Sequence, residues 1–101
     1  GCGVAYLMGE DFETISQTLS NSLAITSGVI CDGAKASCAA KIATAVDSGL
    51  MGYYMCKNKK NFCSGDGIVG DGIEKTIKNV GKLASQGMRE TDKVIIEIMT
   101  E

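Results

Sequence analysis

The sequence predicts an all-α fold, a compact bundle of about four helices, and three observations predict it. Apolar residues recur at helical spacing, at Phe12, Ile15, Leu19 and Leu23 and again at Ile73, Ile77 and Val80. The chain has no proline, so the strongest helix breaker is absent. Alternation with a period of two never runs long enough to mark a strand.

The elements follow in order. Residues 1–10, GCGVAYLMGE, read as the end of an apolar element closed by Gly9. Asp11 is the expected N-cap of a helix over 11–27, with Thr14 standing where a full capping box carries Glu. Gly28 is its expected stop. Residues 28–33 form a turn that holds Cys31. A second helix over 34–56 carries Ala36, Ala39, Ala40, Ala43, Val46, Leu50, Met51 and Tyr54. Its apolar run is not a membrane span, because Lys35, Lys41 and Asp47 interrupt it and small residues dominate it. It is expected to be a buried central helix.

Residues 57–72 form the one obvious loop, with glycines at 65, 67, 70 and 72 and a basic cluster at Lys57, Lys59 and Lys60. Asp71 is the expected cap of a third helix over 72–86, ended by Gly87. Thr91 is the expected cap of a last helix over 91–99, with Val94, Ile95, Ile98 and Met99 on one side. No internal repeat or low-complexity segment is present. A length of 101 residues bounds the chain at one domain, residues 1–101.

Composition removes several classes of function. Ten basic and twelve acidic residues leave a net charge of −2, which does not suggest a nucleic-acid binder. No polybasic run marks a membrane surface. The absence of His excludes His-based acid–base chemistry, Ser-His-Asp triads and His-ligated zinc within these residues. The chain opens on Gly rather than Met, and nothing there resembles a signal peptide. It therefore reads as a piece of something longer, from the reducing cytoplasm, where thiols stay free or bind metal.

The five cysteines are Cys2, Cys31, Cys38, Cys56 and Cys63, an odd number, so at least one is unpaired within the chain. Cys31 sits in a Gly-flanked turn just before an expected helix N-terminus. The helix dipole, with Lys35 one turn inside, favours its thiolate, the form that ligates metal or attacks an electrophile. Cys38 lies four residues into the same helix and could face the same pocket. The plainer reading is that both are small buried hydrophobes. Their spacing matches no familiar zinc or ferredoxin pattern. A Cys56–Cys63 bridge is geometrically possible, but a reducing compartment argues against it. GDGIVGDG, Gly65–Gly72, has the look of a phosphate cradle. It lacks the Lys-Ser/Thr of a P-loop and no strand precedes it, so it reads as a loop and helix cap. The aspartates read as caps or surface residues, although Asp32 beside Cys31 could touch a ligand.

Two longer stretches carry a resemblance. GVICDGAKASCAAKIATAVDSG, from Gly28, and DGIVGDGIEKTIKNVGKLASQGMRETDKVIIEIM, from Asp66, resemble the C-terminal part of the L-cysteine desulfidase-like family, related to the α chain of iron-sulfur L-serine dehydratases. The resemblance covers nearly the whole chain, and its most specific features are ICDGAK and the ETDK-containing ending. It implies an oxygen-sensitive [4Fe-4S] cluster held by three cysteines. An open iron would act as Lewis acid in β-elimination from a small amino acid, giving pyruvate, ammonia and sulfide or water. Carried over by position, Cys31 is the first candidate for cofactor binding and metal ligation, and Cys38 the second. The family's chain is several times longer, and its remaining cluster ligands and substrate-binding residues lie largely upstream of Gly1. Cys2 is not read as a ligand, and no complete site or bound cluster is expected in this chain alone.

Three readings compete. The chain is the inactive C-terminal piece of an iron-sulfur β-eliminating lyase, or a helical interaction module that completes a two-chain enzyme, or a helical domain whose cysteines only pack. The expected partners are the missing N-terminal part or a partner chain, and the amino-acid substrate. A thin core with its cover removed also predicts self-association.

Overall fold

A computed structural model describes residues 1–101. The fold is all-α, as the sequence predicts. The elements are α1 Cys2–Leu7, α2 Phe12–Thr26, α3 Ala36–Lys57, α4 Ile73–Lys82 and α5 Arg89–Met99, with a π-helical turn, Leu83–Gly87, between the last two. The bundle is a flattened slab of 49 × 27 × 17 Å.

Local chemistry explains most boundaries. Gly9, at φ +80°, closes α1. Asp11 caps α2 as expected: its carboxylate accepts from the Thr14 backbone N–H at 2.9 Å. This bond holds the Asp11 carboxyl below its ordinary value. The helix ends at Thr26, and Ser27 and Gly28 form the turn that follows.

Two expected caps are not used. Gly72, not Asp71, precedes α4, and no side chain caps that helix. Thr76 instead turns back from inside it and accepts from the Gly70 N–H at 3.1 Å. Likewise α5 begins at Arg89 after Met88, so Thr91 lies within its first turn rather than before it. The helix expected over 72–86 loses its α register at Leu83, where the wider π turn leads to Met88.

The expectation of a buried central helix over 34–56 is corrected. The buried residues of α3 are Ser48, Gly49, Gly52 and Tyr53, while Ile42, Val46, Met51 and Tyr54 are exposed. The reason lies in how α3 meets α2. A Cβ on Gly52 would stand 2.6 Å from Ser22 Oγ and 2.9 Å from Thr18 O, so the helices approach through their smallest residues. The hydroxyls on that seam bond back along α2, Thr18 to Thr14 O at 2.8 Å and Ser22 to Thr18 O at 2.7 Å. A seam of small polar groups buries little apolar area, and α3's larger apolar residues point elsewhere.

The core is accordingly polar. Thr18, Ser20, Asn21, Ser48 and Thr76 are buried, against Ala5, Tyr53 and Val69 among apolar residues. Asn21 is its hub. Its amide donates to Gly52 O and Asn61 Oδ1, and its oxygen accepts from Gln17 and from the Phe62 N–H, all at 3.1 Å. These bonds fasten the 58–72 loop to the α2–α3 pair. Asn79 adds a bond to Ile68 O at 2.9 Å.

Candidate functional site

The turn after α2 and the first turns of α3 bring together Cys31, Asp32, Ser37, Cys38 and Lys41. Two backbone choices shape the turn. Gly33 stands at φ +115°, and Ala34 at φ +56°, a left-handed conformation that costs a non-glycine residue roughly 1–2 kcal/mol. A neighbourhood that over-determines such a residue is what keeps it there. Here the constraint is visible. Asp32 accepts from Ser37 Oγ at 2.6 and 2.7 Å and pairs with Lys41 Nζ at 3.0 Å. Lys41 Nζ also donates to Ile30 O at 2.7 Å. Residues on both sides of Cys31 are thus tied to α3.

The tie sets the thiols. Cys38 Sγ lies 3.4 Å from Cys31 Sγ and 3.2 Å from Asp32 Oδ1, so its one proton can serve either acceptor. Cys31 is exposed and Cys38 half-buried. Backbone N–H of Gly33 is the largest of the influences that hold the Cys31 thiol below its ordinary value, followed by the Cys38 side chain and the N–H of Ala34. The Asp32 charge opposes them. Asp32 itself is held well below the ordinary carboxylate range, first by Ser37, then by Lys41 and Cys38. The sequence points to a helix dipole and Lys35 as the influences on Cys31. The structure starts α3 at Ala36, with Lys35 flanking it, and adds the N–H groups of Gly33 and Ala34 in the turn itself.

The remaining cysteines stay apart from this pair. The Cys56 thiol, half-buried on α3, is pushed up by desolvation and then by the charges of Glu10, Asp11 and Glu13. Cys63 is exposed in the loop, its N–H bonded to Asp66 at 2.7 Å. Cys2 lies on α1, its thiol 3.6 Å from Ile15 O. All five thiols are free, and no group of three or more Cys, Asp or Glu residues in the chain could hold a metal ion.

Cys31 also stands between two shallow grooves. One, of about 300 Å³, is lined by Leu23, Ile30, Val80, Leu83 and Met88, with Asp92 also in its lining. The other, of about 540 Å³, runs along α3 past Cys38, Ala39 and Ile42. By sequence alone Asp92 is a cap or surface residue. Its place in the ETDK stretch was the one signal available, and only folding shows that it shares a groove with Cys31. No helix is long and apolar enough to cross a membrane.

Comparison with known proteins gives the geometry a context. A "UPF0597 protein" of Finegoldia magna is 52% identical over 101 residues, covering 100% of this chain and 24% of the relative. One from Desulfitobacterium hafniense is 57% identical over 99 residues, covering 98% and 23%. One from Treponema denticola is 47% identical over 96 residues, covering 95% and 22%. The chain therefore spans about a quarter of the length of the curated relatives it matches. No solved structure matches. Residues 1–97 match the family model described as "Serine dehydratase alpha chain", and the chain belongs to that family.

Proposed function

We propose that the chain is the C-terminal portion of a [4Fe-4S]-dependent β-eliminating lyase, of L-cysteine desulfidase or L-serine dehydratase type, in which Cys31 and Cys38 are iron ligands. The observation that carries this reading is the pair of thiols 3.4 Å apart on a constrained, solvent-reachable turn. The donor chemistry fits. Iron–sulfur clusters are held by cysteine thiolates, and Cys31 is biased toward thiolate by backbone amides rather than by a permanent charge. The fit is partial, because two cysteines stand together and the chain brings no third cysteine to them. The remaining ligand then comes from residues beyond these 101, in a cytoplasmic protein of about the relatives' length.

When bound, the cluster supplies a Lewis-acidic iron for the leaving group. The chain's own residues prepare the place. Asp32, gripped by Ser37 and Lys41, sets the entry to the turn. Asp92 puts a carboxylate in the lining of the groove beside Cys31, where it suits an amino acid's ammonium. Leu23, Val80 and Leu83 give that groove an apolar wall.

The test uses the full-length protein, purified without oxygen and reconstituted with iron and sulfide. Cys31→Ala and Cys38→Ala should each lose the visible absorbance of the cluster and the release of pyruvate from L-cysteine or L-serine. Retention of both properties in both variants would return these residues to a packing role. A second reading, an interaction module completing a two-chain enzyme, draws on the exposed apolar residues of α1, α3 and α5. It predicts that a separate chain must be added before pyruvate is released.

A further inference from the structure

We infer that Cys31 and Cys38 are a modification site: an oxidisable dithiol that closes to an intramolecular disulfide. The inference stands on the turn's geometry and does not depend on the iron reading. The two sulfurs already lie 3.4 Å apart. A disulfide bond is about 2.0 Å long, so closure asks for a movement of about 1.4 Å. Cys31 can supply it, because it lies outside any helix, whereas Cys38 is anchored in the first turn of α3. The ties that flank Cys31, Lys41 to Ile30 O and Asp32 to Ser37, keep the thiols facing while they react. Neither sulfur is sealed from solvent. No other two cysteines in the chain are brought into contact.

The oxidant proposed is a peroxide. One thiolate attacks a peroxide oxygen, the O–O bond breaks, and hydroxide leaves to become water, giving a sulfenic acid. The second thiol then attacks that sulfur. The S–S bond forms, the S–O bond breaks, and a second water leaves. Two thiols have lost two protons and two electrons, and hydrogen peroxide has become two waters. While the bond is closed neither sulfur can hold a metal, and a thiol reductant reopens the pair.

The experiment takes the full-length protein, stripped of metal with a chelator under argon, and treats it with dilute hydrogen peroxide. Alkylation, tryptic digestion without reductant and mass mapping follow. Trypsin cuts after Lys35 and Lys41, so the disulfide should appear as the peptide ending at Lys35 joined to Ala36–Lys41, two hydrogen masses lighter than the separate pair. Cys63 should remain alkylated, and dithiothreitol should restore both thiols. In Cys38→Ser, Cys31 should take up oxygen instead of cross-linking. The inference is overturned if both thiols stay alkylatable, if wild-type Cys31 goes on to the sulfinic acid unlinked, or if the link forms to Cys63 or between molecules.

Discussion

Gly33 lies against Met99. A Cβ added at Gly33 would overlap the Met99 sulfur, so the last residue of α5 packs over the turn that carries Cys31. The two most specific stretches of the sequence, ICDGAK and the ETDK-containing ending, thus meet in space through residues more than sixty positions apart.

Gly33→Ala should be costly chiefly through its backbone. The substitution forces a side chain onto a residue at φ +115°, while the end of the half-exposed Met99 side chain it would meet can swing aside at little cost. The expected loss is roughly 1–3 kcal/mol, read as a lower urea midpoint. Adding Met99→Ala should recover only the steric share, because the backbone strain remains. Full recovery in the double variant would show that the backbone conformation carries no cost.

Asn21 is the second test of the fold. Asn21→Leu keeps roughly the volume but removes the second bond to Gly52 O, which keeps its helical partner in α3, and leaves the Phe62 N–H without its acceptor. A fully buried group so orphaned costs about 1–3 kcal/mol, and the half-buried Phe62 N–H should fall at the low end. The 58–72 loop should detach first, seen as faster amide exchange at Phe62 than in α2. An unchanged exchange rate at Phe62 would mean that the loop is held by other contacts.

Thiol reactivity in the metal-free protein should depend on pH in a set order. The Cys31 thiol is held below the ordinary 9.0 and the Cys56 thiol is pushed above it. At neutral pH Cys31 then carries more thiolate, and iodoacetamide should modify it faster than Cys56. The gap should narrow as pH rises past 9.0, where Cys31 is already ionised and Cys56 begins to be. Equal rates at neutral pH would remove the amide effect assigned to Gly33 and Ala34.

The 101-residue piece should self-associate. Val4, Leu7, Phe12, Ile42, Val46, Ile96 and Ile98 are exposed, while the apolar core is Ala5, Tyr53 and Val69. Apolar surface in that proportion favours association. Sedimentation velocity should show species that grow with concentration, and a single monomer at high concentration would contradict this.

Local signals were legible in the sequence. The helical spacing around Ile15 and Leu19, the Asp11 cap and the Gly9 stop each rest on a few neighbouring residues, and folding leaves them unchanged. The candidate pair was legible only as two cysteines near a turn, since spacing along a chain does not determine whether side chains touch. Tertiary structure decided what depends on distant partners. Gly52 lets α2 and α3 meet through small polar groups, which turns Ile42, Val46 and Tyr54 outward and makes the core polar. The amides of Gly33 and Ala34 act on Cys31 because the turn takes positive φ at both residues, freely at glycine but at a cost at Ala34, where the ties of Asp32 and Lys41 to α3 hold it.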